Sequence, residues 1–93
     1  MELILPNVLQ TGEPLKVLEG HTGQVFSLLL EPPFVWSSSW DKSIILWDFH
    51  DKTFKKELKG PHSDAVSCLL SVGNEVWSAS WDKTISIWKA SGS

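Results

Sequence analysis

Val35-Trp36-Ser37-Ser38-Ser39-Trp40-Asp41-Lys42-Ser43-Ile44-Ile45-Leu46-Trp47 returns 41 residues later as Val76-Trp77-Ser78-Ala79-Ser80-Trp81-Asp82-Lys83-Thr84-Ile85-Ser86-Ile87-Trp88. The two copies agree position by position, and the same spacing separates His21 from His62. Upstream the register slips by one residue, because Leu18-Glu19-Gly20-His21 becomes Leu58-Lys59-Gly60-Pro61-His62. A period of this size belongs to repeat architectures, either helical arrays or sheets. The sequence favours sheets. Each copy holds short runs rich in Trp, Ile, Val and Thr, broken by turn residues, with no long apolar stripe at helical spacing.

Four strands are predicted per copy: Leu15–Leu18, Val25–Leu30, Phe34–Ser39 and Ile44–Trp47, then Phe54–Leu58, Val66–Leu70, Glu75–Ser80 and Ile85–Trp88. Turn signals separate them at His21-Thr22-Gly23, Glu31-Pro32-Pro33, Asp41-Lys42, Ser63-Asp64 and Gly73-Asn74. The repeats therefore cover about 15–53 and 54–89. Residues 1–14 are expected to be an N-terminal leader, whose Leu3-Ile4-Leu5 could add to a sheet edge, and 90–93 a flexible tail.

These residues resemble the WD-repeat family. The marks are Gly20-His21, Ser37-x-Ser39-x-Asp41-x-Ser43-Ile44 and Trp47-Asp48, then His62, Ser78-x-Ser80-x-Asp82-x-Thr84-Ile85 and Trp88. The resemblance spans about Leu15 to Lys89. It departs from the family pattern at Pro61, in place of the glycine before His62, and at Lys89, in place of the Asp after Trp88. It implies an all-β fold of two four-stranded antiparallel propeller blades. It also implies a hydrogen-bond chain in each blade: His21, Ser37 or Ser39, Asp41 and Trp47 in the first, and His62, Ser78 or Ser80, Asp82 and Trp88 in the second. A carboxylate that loses water needs donors, and hydroxyl, imidazole and indole N–H supply them.

In this family the sequence repeat is out of phase with the blade, each repeat opening on the outermost strand of the blade before it. Phe54–Leu58 then completes the first blade. Leu15–Leu18 has no preceding blade, and Ile85–Trp88 has no outer strand after it. Two blades also leave two apolar faces bare, and repeat units rarely stand alone in such small numbers. Head-to-tail association would complete a closed ring, as a homotrimer of six blades or a homotetramer of eight, by strand exchange. The alternative is a piece of a longer chain that supplies the other blades.

The remaining chemistry is sparse. Eight Lys and Arg against eleven Asp and Glu give a net charge of −3, with no basic footprint for nucleic acid. No apolar run approaches the roughly 18 residues of a membrane span. Met1-Glu2-Leu3-Ile4-Leu5-Pro6 lacks the cationic start of a signal peptide. The single cysteine, Cys68, allows no internal disulfide and no cysteine metal site; it reads as a small core residue of a cytoplasmic protein. Ser, His and Asp together suggest a catalytic triad. Their duplication with a Trp partner in both copies, and the lack of any oxyanion-hole signal, point to structure instead. His21 and Asp41 have no ligand cluster around them, so no metal or other cofactor is expected, and His50 reads as a solvated turn residue.

What remains is binding. By family resemblance, the residue before each tight-turn Asp points to the top face; here these are Trp40 and Trp81. Gln24, Phe26, Ala65 and Ser67 would lie nearby. Exposed aromatics at a rim are typical partner anchors, though both could instead fill gaps between blades. The expected function is a non-catalytic protein-interaction scaffold that binds a protein or peptide. The alternative is a lectin-like propeller that stacks sugars on exposed Trp.

Overall fold

Alternation of side chains along pleated strands explains how both faces of each sheet come to be apolar. The computed structural model describes residues 15–91. It holds β1 (Val25–Glu31), β2 (Phe34–Ser39), β3 (Ser43–Asp48), β4 (Thr53–Lys59), β5 (Val66–Val72), β6 (Glu75–Ser80) and β7 (Ile85–Lys89). They form a four-stranded sheet in the order β1-β2-β3-β4 and a three-stranded sheet in the order β5-β6-β7, with every pairing antiparallel. The second sheet therefore has one strand fewer than the two four-stranded blades that the resemblance implies. The expected strand Leu15–Leu18 does not form, and Leu15 is 97% exposed. The cause is position: Leu15–Leu18 lies beside the first blade, whose outer edge is taken, while the open edge of β7 belongs to the other blade. An outer strand needs an inner neighbour to bond with, and β4 already occupies the free edge of β3. The expected leader, 1–14, lies outside the described residues. So does all but Ala90 and Ser91 of the expected tail.

Residues directly opposite across an antiparallel pair share a face. In the first blade Leu29, Trp36 and Leu46 stand side by side, as do Ser27, Ser38, Ile44 and Leu58. This face packs on Val66, Leu69, Val76 and Trp88 of the second blade, and the core lies between them. Trp36 is wholly buried there. The inner strands carry the seam, since contact between the sheets falls on β1, β2 and β5. Two hydrogen bonds cross it: the Leu69 amide donates to Ser27 Oγ at 3.3 Å, and Ser71 Oγ donates to Glu31 Oε2 at 2.8 Å.

Each blade keeps one face without a sheet against it. On the first, Val25, Leu28 and Leu30 are exposed; on the second, Leu70, Val72, Ile85 and Ile87 are. Cys68, expected in a core, is exposed among the latter, because no neighbour covers that side. On the first blade's outward face Ile45 and Trp47 are nonetheless buried. The chain running into β1 lies against them at Gly20, where an added Cβ would stand 3.1 Å from the Trp47 ring and 3.3 Å from Ile45.

The seam is not fully satisfied. Among the described residues, Trp36 Nε1 and Ser38 Oγ are buried with no hydrogen-bond partner. The second copy shows how each could be relieved. Trp77 Nε1 donates to Glu75 Oε1 at 3.1 Å, where the first copy has Phe34; Ala79 stands where the first has Ser38. Ser38→Ala is thus expected to stabilise the chain by about 1 kcal/mol, by removing a hydroxyl whose burial goes uncompensated. An unchanged or lower urea midpoint for this variant would show that the hydroxyl is satisfied after all.

Candidate functional site

The turn between β2 and β3 decides where the polar side chains meet. Lys42 N–H bonds back to the Ser39 carbonyl at 3.3 Å, and Lys42 takes a positive φ of 76°. This is a tight turn closed by a left-handed residue, and Lys83, at φ 74°, repeats it. Each turn swings its aspartate inward under the loop that enters the innermost strand.

In the first blade Asp41 Oδ2 lies 3.0 Å from His21 Nδ1 and accepts the Thr22 amide at 2.8 Å. Its Oδ1 accepts the Ser43 amide at 2.9 Å and the Ser43 hydroxyl. On the far side of the imidazole, His21 Nε2 lies 2.6 Å from Ser37 Oγ, which accepts the Trp47 indole N–H at 2.8 Å. The second blade repeats every link. His62 Nδ1 is 3.2 Å from Asp82 Oδ2, His62 Nε2 is 2.8 Å from Ser78 Oγ, and Trp88 Nε1 donates to Ser78 Oγ at 2.9 Å. Asp82 accepts the Ser63 amide at 2.9 Å together with the Thr84 amide and hydroxyl.

Proton placement follows from these partners. The carboxylate draws the imidazole proton to Nδ1, so in the neutral ring Nε2 accepts the serine hydroxyl. Burial works against the Asp41 charge, but bonds from the Ser43 hydroxyl, the Thr22 amide, His21 and the Ser43 amide outweigh it. They hold the carboxyl at about 2, below its ordinary 3.8. At Asp82 the Thr84 hydroxyl acts first, against burial, and with the Ser63 and Thr84 amides and His62 holds the group well below the carboxylate range.

The chain runs through Ser37 and Ser78 of the expected pairs. Ser39 and Ser80 stand at the turn, where their hydroxyls each accept the amide of the aspartate two residues on, at 3.0 Å in both blades. Ser43, Thr84 and the amides of Thr22 and Ser63 complete the aspartate's surroundings, and none had an assigned role in the sequence reading. A signal existed: a hydroxyl residue two places after each Asp suits a side chain that bonds its own turn.

Ser, His and Asp stand at triad distances, yet the hydroxyl is committed at both ends. Its proton faces the imidazole, its oxygen accepts an indole, and Ser37 and Ser78 are only 2% and 0% exposed. No electrophile reaches such an atom. No group of His, Cys, Asp and Glu able to hold a metal occurs among the described residues, and no helix there is long and apolar enough to cross a membrane.

The expected rim residues gather at one end of the inner strands. The Trp40 amide donates to the Gln24 carbonyl at 2.9 Å and the Trp81 amide to the Ala65 carbonyl at 3.0 Å. Trp40 and Trp81 are 57% and 55% exposed. Trp81 leans across the seam onto Phe26, with ring centroids 5.7 Å apart, so it both fills the seam and faces solvent. Gln24 is exposed, and Phe26 and Ser67 are half-buried. Ala65 departs from the expectation of partner contact. It heads the strand that packs on the first blade and is wholly buried, leaving no side-chain surface to touch.

The family profile described as "WD domain, G-beta repeat" matches residues 12–48 and 52–89. The chain belongs to the WD-repeat family. Family members are generally non-catalytic scaffolds. Among curated relatives, the periodic tryptophan protein 2 homolog of Mus musculus is 43% identical over 61 residues, 63% of this chain. That of Dictyostelium discoideum is 35% identical over 65 residues, 67% of this chain. The matched stretch spans only 7% of the length of either relative. Among solved structures, the computationally designed Ika4 protein aligns with a TM-score of 0.71 and 30% identity, covering 85% of this chain and 49% of that one. The computationally designed Ika8 protein aligns equally well, over 24% of its chain.

Proposed function

We propose that this chain is a non-catalytic protein-interaction scaffold whose two adjoining blades join head to tail with further blades of the same kind. The observation that carries the reading is the pair of bare faces. One chain buries the inward face of each blade and leaves an apolar outward face on each, rich in Leu, Ile and Val. Apolar faces of this extent call for partners. The lone β7 edge adds to the need, and Leu15–Leu18 of a second copy supplies the strand it lacks. Three or four copies would close a homotrimer or homotetramer by strand exchange. A protein or peptide partner would then meet Trp40, Trp81, Gln24, Phe26 and Ser67 at the rim. A net charge of −3 supports a protein over a nucleic acid as that partner. The single thiol fits a reducing compartment, and we place the scaffold in the cytoplasm on that ground.

A second reading has its own support: the curated relatives are far longer than the matched stretch, so the missing blades could belong to a longer chain. The sugar-binding alternative gains no support from the family or the relatives' names. Light scattering after size exclusion separates the first two readings. Self-closure predicts a mass near three or four times 10.4 kDa, unchanged on dilution. A single-chain mass hands the remaining blades to a longer polypeptide. For the rim, Trp40→Ala and Trp81→Ala should each weaken capture of a bound protein while leaving the circular dichroism spectrum unchanged; undiminished capture would move the contact elsewhere.

A further inference from the structure

We infer that a second copy of this chain seats its second blade on the bare face of the first blade, with Trp77 as the knob and Val25, Leu28 and Val35 as the hole. This deepens, and rests on, the head-to-tail reading above. The template is the seam inside the chain. There Trp36 is buried against Val66, Leu69 and Val76. Both halves of that contact recur unfilled, 41 residues away in each direction. Trp77 stands on the outward face of the second blade in line with Leu70 and Ile87, as Trp36 stands in line with Leu29 and Leu46. Val25, Leu28 and Val35, the counterparts of Val66, Leu69 and Val76, line an open cavity of about 540 Å³ beside Trp47 and Leu18. The indole and its socket are on one molecule but face opposite ways, so only another copy can join them.

The rest of the seam identifies the occupant. Within the chain Ser71 donates to Glu31. The equivalent positions on the two bare faces are Leu30 and Val72, 53% and 37% exposed. Both members of the pair have exchanged polar for apolar side chains together. Either change alone would set a carboxylate or a hydroxyl against a hydrocarbon. Two faces meeting unrelated blades have no reason to match each other in this way. The new seam differs at its rim: Ser67 takes the place of Phe26, so Trp40 has no aromatic ring to lean on.

The full-length chain tests this with its own thiol. Cys68 lies on the face that the second copy would cover, and it is the only cysteine. The associated wild type should react slowly with a maleimide, because the second copy covers Cys68. Val72→Glu should reduce the mass to one chain and expose Cys68, with the fold intact because residue 72 is exposed in the single chain. Adding Leu30→Ser should restore the mass, by rebuilding the Glu31–Ser71 bond at the new seam. If the wild type associates but Cys68 labels freely, or Val72→Glu leaves the mass unchanged, this seam is wrong while self-assembly stands. A wild type that stays a single chain at all concentrations overturns both.

Discussion

Trp36→Ala should cost the folded chain about 3–5 kcal/mol, the toll of emptying a fully buried indole site. Small domains hold only about 5–15 kcal/mol in total, so urea denaturation followed by circular dichroism should show a much earlier midpoint or no cooperative transition. Trp77→Ala, at the matching position of the second repeat, should behave oppositely. Trp77 is half-exposed and bonds only to Glu75 of its own hairpin, so the single chain should lose less than about 1 kcal/mol. Its loss should appear as failed association. Equal destabilisation of the two variants would mean that the second blade's outward face is already covered within one chain.

Acid should unfold the protein through its aspartates. The Asp41 carboxyl sits at about 2 when folded, against an ordinary 3.8. The unfolded chain therefore takes up this proton first. The stabilisation is fully present above about pH 5 and drains away as pH falls through 3.8 towards 2, where the folded group also protonates. The direction at Asp82 is the same. Asp41→Ala should cost about 2 kcal/mol or more at neutral pH, because it strands the Thr22 amide, the Ser43 hydroxyl and His21 together. Asp41→Asn should flatten the acid slope as well as lower stability. A variant whose stability falls with pH in parallel with the wild type would place the sensitive carboxylate elsewhere.

Strand positions were legible because the side-chain period and the 41-residue repeat reinforce each other. Val25, Phe34, Glu75 and Ile85 begin strands as read, and boundaries moved by only a residue or two. The offset between repeat and blade came from the family resemblance and not from the residues alone, and β4 does finish the first sheet. Leu15–Leu18 has strand propensity but forms no strand in the single chain, because propensity takes effect only beside an open outer edge, and the blade it adjoins has none. The choice between Ser37 and Ser39 could not be made from the sequence. Residues two apart share a face, and only the depth of His21 and Trp47 singles out Ser37. Ala65 and Cys68 failed for a related reason. Burial at a seam depends on which side a neighbour takes, and one strand pattern serves both sides.

The offset that lets β4 close a sheet begun by another repeat has a consequence for growth. Suppose a 41-residue unit is copied and inserted between two others. The newcomer lends its first strand to the sheet before it and borrows one from the unit after it. Every internal sheet stays four-stranded, and the array still carries one spare strand at its start and one open edge at its end. Lengthening such a gene by duplication therefore creates no new sticky edge, whatever the number of units. The defect that must be capped or closed is paid once, and arrays of different length inherit the same one.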